Sequence, residues 1–150
     1  MMKLLLVCNP GGHFASMMKL ERFWSSYSHE WVTYPHYDTR TLVQDGEIVH
    51  WVAMQEARMI GRACVNFFHA LFVLYKRHPD LVISTGAGIS VPFVLASKIF
   101  GIRTIFIENK TRFSNLSLSG KILYFFVDEL YVQWPECIDR YPRAIFKGVL

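Results

Sequence analysis

The stretch KLLLVCNPGGH, residues 3–13, decides the fold, because an apolar run passes directly into a glycine turn. The stretch LVISTGAGIS, residues 81–90, repeats that pattern. An apolar run that turns at glycine is typical of a buried parallel strand followed by a helix. Glycine permits close approach of the backbone, and free N–H groups at a helix start favour anions. The two loops therefore predict binding of a phosphorylated ligand at Gly11, Gly12, Gly86 and Gly88.

Neither loop matches a named phosphate-binding motif. The dinucleotide fingerprint G-x-G-x-x-G is missing, and no P-loop lysine follows the glycines. Glycines that only make tight strand-to-helix turns are the alternative interpretation. The presence of two such loops in one short chain favours a ligand.

Strand-like and helix-like segments alternate along the chain. Strands are predicted at 3–8, 30–34, 48–52, 80–84, 103–107 and 129–133, and helices at 14–27, 56–77, 91–100 and 118–126. This order predicts one α/β domain over residues 1–150, with a Rossmann-like parallel sheet and helices on both faces. Ligands of such sheets bind where the strand order reverses, between the first and fourth strands. The predicted cleft is lined by His13, Thr85, Gly86, Gly88 and Ser90.

Composition narrows the function classes. Apolar residues make up 52% of the 150, which supports a sizeable core, and aromatic residues reach 15%, which predicts an aromatic surface for a partner or a membrane. The net charge is +4, but the basic residues are scattered, which argues against nucleic acid. Three separated cysteines indicate neither disulfides nor a zinc site.

One apolar segment, residues 59–75, has basic residues at both ends. Arg58 precedes the segment and Arg62 lies near its start, and Lys76 and Arg77 follow its end. It is too short to span a bilayer, but it could lie in the interface of an anionic membrane. The alternative is a helix that covers the sheet and has solvated basic ends.

Further motifs carry a resemblance that runs along nearly the whole chain. They are GGH at 11–13, STGAG at 84–88, VPF at 91–93, IFIEN at 105–109, LSGK at 118–121, VD at 127–128 and VQW at 132–134. This set resembles PssD-like acceptor subunits of two-component glycosyltransferases, from bacterial exopolysaccharide and capsule synthesis. They are related to the membrane-anchored subunit of the eukaryotic dolichol-linked GlcNAc transferase. The motif order also resembles the N-terminal half of MurG, which has the GT-B fold.

The resemblance implies a split, inverting glycosyltransferase. This chain would bind a lipid-pyrophosphate-linked sugar, and the UDP-sugar would be bound mainly by a partner chain. It implies peripheral association with the cytoplasmic face of the cell membrane, with no cofactor and no metal. The C-terminal residues 141–150 would help to dock the partner. A non-catalytic scaffold that recruits and activates a partner transferase is the alternative function.

Sugar transfer with inversion requires a general base for the acceptor hydroxyl. His13 is one candidate, since imidazole titrates near neutral pH, and Glu108 is another if burial makes its carboxylate more basic. Alternatively, His13 donates to phosphate, Glu108 orients a sugar hydroxyl, and the partner supplies the base. The predicted acceptor- and pyrophosphate-binding residues are Gly11, Gly12, Thr85, Gly86, Gly88, Ser90, Asn109 and Arg112, with Asp38 and Arg40 as weaker candidates in a polar loop.

Overall fold

The computed structural model describes residues 1–56 and 58–150. Within them a single parallel sheet has the strand order β3-β2-β1-β4-β5-β6-β7. The strands are β1 Lys3–Val7, β2 Ser28–Thr33, β3 Val49–Trp51, β4 Leu81–Ser84, β5 Arg103–Ile107, β6 Glu129–Val132 and β7 Ile145–Phe146. The helices are α1 Gly12–Met18, α2 Glu21–Trp24, α3 Thr41–Gln44, α4 Ile60–Arg77, α5 Ser90–Ile99, α6 Leu118–Leu123 and α7 Glu136–Arg140.

Helices cover the sheet on both faces, because its central strands are apolar on both sides. Leu4 and Leu6 of β1 pack with α1, α2 and α3, whereas Leu5 and Val7 pack with α4 and α5. A third cluster joins β5 and β6 to α5, α6 and α7 around Phe106. The strand order reverses between β1 and β4, as predicted, so the two glycine loops lie side by side at the carboxyl ends of these strands.

The helix predicted over 14–27 is wrong as a single element, since it is divided into α1 and α2. The indole Nε1 of Trp24 donates to the Met17 carbonyl at 2.9 Å, at the end of α1. The same carbonyl also accepts from the Leu20 N–H at 3.0 Å, so the indole adds a second bond at the point where the chain turns.

The long helix begins at Ile60 rather than at residue 56. Asn66 explains the late start: its side chain accepts from the Ala53 N–H at 3.0 Å and donates to the Ala53 carbonyl at 2.9 Å. The side chain of Gln55 donates to the Gly88 carbonyl at 2.8 Å. These bonds hold the approach to α4 in a non-helical path.

Short elements near the C-terminus and between β2 and β3 were not predicted. They are α3 in the loop that contains Asp38 and Arg40, and α7 and β7 within the last fifteen residues. The helix predicted over 118–126 ends at Leu123, where the Phe126 N–H donates to the Leu123 carbonyl in a tighter turn. In the part of the chain that the structure describes, none of the helices has the length and apolar character needed to cross a membrane.

Candidate functional site

A cavity of about 520 Å³ opens at the carboxyl ends of the central strands. It is bounded by the first glycine loop, the second glycine loop and the segment that links β5 to α6. Its lining residues are Asn9, Pro10, His13, Tyr34, Glu56, Arg58, Ala87, Gly88, Glu108, Asn109, Thr111, Arg112, Ser117, Leu118 and Ser119. This is the edge of the sheet at which the sequence predicted a cleft.

His13 is held by the second glycine loop. Its Nδ1 lies 2.8 Å from the Thr85 carbonyl oxygen, and the Thr85 hydroxyl donates to the His13 carbonyl at 2.7 Å. A carbonyl only accepts, so Nδ1 carries the hydrogen and the neutral ring has its lone pair on Nε2. Among the described residues Nε2 has no hydrogen-bond partner, and the ring lines the cavity. This arrangement leaves a basic nitrogen available to a ligand.

Both glycines of the second loop are required by their surroundings. Gly86 has φ +113°, and a Cβ there would lie 2.9 Å from Nδ1 of His13. A Cβ at Gly88 would lie 2.6 Å from the Gln55 carbonyl oxygen. The absence of side chains thus lets the His13 ring and the Gln55 backbone pack directly on the loop. These contacts give a packing reason for both glycines, and phosphate binding by this loop stays a prediction.

Glu108, at the end of β5, accepts three hydrogen bonds from the protein. Its Oε1 accepts from the Asn109 N–H at 2.9 Å, and its Oε2 accepts from the Ser117 N–H at 2.9 Å and the Ser117 hydroxyl at 2.8 Å. The Ser117 hydroxyl in turn accepts from the Gly120 N–H at 3.0 Å and caps α6. Glu108 is 2% exposed. Its carboxylate therefore fixes Ser117, the residue that caps the start of α6.

Two arginines stand at the rim of the cavity. Arg58 and Arg112 are both exposed, and neither guanidinium bonds or pairs with any of the described residues. Asn109 shapes the turn that carries Arg112, because its side chain accepts from the Thr111 N–H at 2.9 Å and its carbonyl from the Arg112 N–H at 3.0 Å. Guanidinium groups suit phosphate, so the rim matches an anionic ligand. No cluster of three metal-ligating side chains occurs within residues 1–56 and 58–150.

Comparison with known proteins places the chain in a family. The family described as "Oligosaccharide biosynthesis protein Alg14 like" matches residues 4–150. The chain belongs to this Alg14-like family. It is 32% identical over 108 residues to the UDP-N-acetylglucosamine transferase subunit ALG14 of Yarrowia lipolytica, covering 63% of this chain and 50% of that relative. The same-named subunit of Candida albicans is 25% identical over 171 aligned residues, covering 99% and 78%.

The Alg14-like chain spans half or less of some of these relatives, 50% for the Yarrowia subunit and 38% for the rat one. Solved structures share its fold at low identity. MurG of Acinetobacter baumannii has a TM-score of 0.78 at 15% identity, covering 99% of this chain and 46% of MurG. UDP-GlcNAc 2-epimerase of Neisseria meningitidis bound to UDP-GlcNAc has 0.73 at 13%, covering 99% and 46%. The predicted fold, the Rossmann-like N-terminal half of a GT-B protein, is confirmed. The exopolysaccharide and capsule context stays a prediction.

Within the Alg14-like chain, the cavity brings together five of the predicted site residues. They are His13, Gly88, Glu108, Asn109 and Arg112. Thr85 and Gly86 are buried behind His13 and do not line the cavity. Ser90 does not line the cavity either, because its side chain is fully buried and its hydroxyl lies 2.6 Å from the Ser84 hydroxyl.

The first glycine loop differs from the prediction in its bonding. The Gly11 N–H donates to the Asp38 carboxylate at 2.6 Å, so it is not free for a phosphate, and neither Gly11 nor Gly12 lines the cavity. Burial acts to raise the pKa of Asp38, but bonds from the Gly11 N–H, His36 and the Thr39 N–H outweigh it and lower that pKa. Asp38 therefore ties the loop after β2 to the start of α1. Arg40 immediately precedes α3, is exposed and lies outside the cavity.

Several lining residues escaped the sequence reasoning. Ser117 stands just before the LSGK motif, where a serine preceding a helix is a recognisable N-cap signal. For Arg58 the sequence predicts only a basic residue beside the apolar segment 59–75. Asn9 donates to the Gln55 carbonyl at 2.9 Å, a contact between positions 46 residues apart that no local pattern encodes.

Proposed function

We propose that this chain is the acceptor-binding half of an inverting glycosyltransferase that works with a second, donor-binding chain. The observation that carries this proposal is that His13 lines the cavity and its Nε2 has no hydrogen-bond partner among the described residues, in a domain that has the fold of half a glycosyltransferase. The relatives' description as UDP-N-acetylglucosamine transferase subunits supports the reaction class and favours N-acetylglucosamine as the transferred sugar.

The acceptor in this proposal is a sugar linked through pyrophosphate to a lipid. The exposed guanidinium groups of Arg58 and Arg112 supply positive charge for the pyrophosphate at the rim. Polar side chains of Asn9, Thr111 and Ser119 line the cavity and suit sugar hydroxyls. The volume of about 520 Å³ lies in the range typical of small-ligand sites.

In the reaction, an acceptor hydroxyl attacks the anomeric carbon of the donor sugar. The new carbon–oxygen bond forms as the bond to UDP breaks, and the electron pair leaves with the nucleotide. Nε2 of His13 takes the hydroxyl proton. Nδ1–H keeps its hydrogen bond to the Thr85 carbonyl, and this bond stabilises the imidazolium that results. Glu108 is less suited to this role, because three protein donors already bind its carboxylate.

The donor-binding partner is proposed to dock on an apolar groove of about 360 Å³. Ile83, Ile105 and Ile107 form its floor on the sheet face that also carries α1 and α2. The chain segment 147–150 forms one edge, and the Leu150 N–H donates to the Gln133 side chain at 2.7 Å. This placement agrees with the expectation that the C-terminal residues help to dock a partner. The heteromer would work in polysaccharide synthesis, peripherally at the cytoplasmic face of the membrane.

The test is His13→Asn in the complex with the partner. The asparagine amide can still donate to the Thr85 carbonyl, but Nε2 is lost. We expect kcat to fall by about 10²- to 10⁴-fold, with loss of the acid limb of the pH–rate profile. His78→Asn, at an exposed position where asparagine tolerates the left-handed backbone, is the matched control.

The exposed apolar surfaces favour a second candidate function, a scaffold that brings a competent partner transferase to a membrane. In that case His13→Asn would keep full activity with the partner present, and the base would belong to the partner. The same experiment therefore separates the two functions.

A further inference from the structure

The proposed function gives the VQW motif, residues 132–134, no role in acceptor binding, yet two of its side chains hold the main chain of the cavity wall. Gln133 Nε2 donates to the Glu108 carbonyl at 3.2 Å, and Trp134 Nε1 donates to the Lys110 carbonyl at 2.6 Å. Both carbonyls belong to the segment that links β5 to α6, which bounds the cavity. The course of this segment therefore depends on side chains that lie 25 and 24 positions further along the chain.

The Gln133 side chain belongs to the apolar groove as well. It lines the groove, and its Oε1 accepts from the Leu150 N–H at 2.7 Å while its Nε2 bonds the Glu108 carbonyl. These partners fix the orientation of the amide, because a main-chain N–H can only donate and a carbonyl can only accept. The Gln133 residue is 3% exposed, so bulk water does not readily replace either partner.

One planar amide thus joins the edge of the groove to the wall of the cavity. If the segment 147–150 moves away, the buried Oε1 of Gln133 loses its donor, which is unfavourable, and the amide is no longer held against Glu108. If a second chain covers the segment 147–150, both hydrogen bonds of the amide are retained. Trp134 differs in this respect, since it bonds the cavity segment but lies outside the described lining of the groove.

We propose that Gln133 is a positioning residue through which a donor-binding chain docked on the groove strengthens acceptor binding in the cavity. Gln133 does not line the cavity, so it acts through the main chain that carries Asn109 and Arg112. The inference rests on the proposed function for its two ligands, the chain that covers the segment 147–150 and the pyrophosphate at Arg112. Because coupling between two binding sites is reciprocal, the acceptor strengthens binding of the donor-binding chain by the same factor.

The experiment measures amide hydrogen exchange across residues 108–112, for the chain alone and in the complex with its partner, without acceptor. In the wild type the partner should slow exchange in this segment by about five-fold or more. Gln133→Met keeps the length of the side chain but removes both hydrogen bonds, so the partner should change exchange there by less than about two-fold. Val149→Ser is the matched control on the same edge of the groove, because Val149 is 56% exposed and makes no bond to the cavity segment among the described residues. With the partner at saturation, Val149→Ser should keep the full effect.

Acceptor binding gives a second readout, with N-acetylglucosamine linked through pyrophosphate to a short alkyl chain as the soluble probe. Calorimetry should show that the partner tightens binding of this probe by about five-fold or more in the wild type and by less than about two-fold in Gln133→Met. Trp134→Phe keeps an aromatic ring beside Phe113 but loses the bond to the Lys110 carbonyl. It should therefore weaken probe binding by the same factor with and without the partner.

The outcomes separate this inference from the proposed function. An equal partner effect on exchange in the wild type and Gln133→Met would overturn the role of Gln133, and so would the absence of any partner effect in the wild type. Both results leave sugar transfer by the complex untouched. Failure of the wild-type complex to transfer sugar would instead overturn the proposed function. If Gln133→Met does not fold, Gln133→Glu makes the same test, because it keeps an oxygen for the Leu150 N–H but removes the donor to the Glu108 carbonyl.

Discussion

Replacing Glu108 by glutamine tests whether this carboxylate is a structural clamp. Glutamine has the same shape but one acceptor atom where the carboxylate has two. In the amide orientation that keeps more hydrogen bonds, the glutamine carbonyl accepts from the Ser117 N–H and the Ser117 hydroxyl. Its NH₂ group then faces the Asn109 N–H. A charge-assisted bond is then lost, at about 1.5 to 3 kcal/mol, and a partly buried N–H is left without an acceptor, at about 1 to 3 kcal/mol.

Water from the cavity can reach part of this site, so we expect the lower half of that sum, a loss of about 3 kcal/mol in the free energy of unfolding. For a chain of this length the melting temperature should fall by about 6 to 12 °C. Urea unfolding followed by circular dichroism, without substrate or partner, measures the change. Glu21→Gln, at an exposed glutamate of α2, is the control and should change stability by less than about 0.5 kcal/mol.

A Glu108→Gln protein as stable as the wild type would refute the clamp. If such a protein also lost transferase activity in the complex, Glu108 would be a reacting group, and the assignment of the base to His13 would have to be revised.

Two further predictions concern the glycine loops. Gly88→Ala should destabilise the protein by about 1 to 3 kcal/mol, because the new methyl group meets the Gln55 carbonyl. Gly61→Ala, in open space within α4, should stabilise it. The midpoints of urea unfolding compare the two variants, and equal effects would contradict the packing argument. Because the folded-state pKa of Asp38 is lowered, its contribution to stability is fully present above about pH 4, the unfolded value, and is lost as pH falls through the folded value. The stability difference between wild type and Asp38→Asn should therefore shrink between pH 7 and pH 3 in urea titrations, and a constant difference would show that the Gly11 contact does not depend on the charge.

The central part of the fold is predictable from the sequence because its strands are unambiguous. Residues 4–7 and 81–84 are continuously apolar or small and end at glycine loops, so their pairing side by side follows from the rules for parallel sheets. The same rules bring His13 and Gly88 to one cavity. The resemblance added Glu108, Asn109 and Arg112, which lie in segments without a local phosphate signal.

The remaining features depend on contacts between residues far apart in sequence. Gly11 was expected to bind phosphate, but Asp38, which follows the next strand, takes its N–H. Ser90 follows the second glycine loop, where a ligand-binding residue is expected, yet its side chain is buried against Ser84. The break between α1 and α2 depends on the indole of Trp24 reaching back to Met17. Helical periodicity and residue type do not indicate which of several possible partners forms such a hydrogen bond.

The acceptor that fixes the His13 ring is a main-chain atom, the Thr85 carbonyl. Mutation at position 85 can delete the hydroxyl that bonds the His13 carbonyl, but it cannot delete the carbonyl oxygen. Sequence drift at this position would thus alter the rigidity of the loop pair while the ring kept its protonation pattern. For an engineer this means that Thr85→Val loosens the contact between the loops and Thr85→Ser preserves it. Neither directly changes which imidazole nitrogen is left without a partner among the described residues.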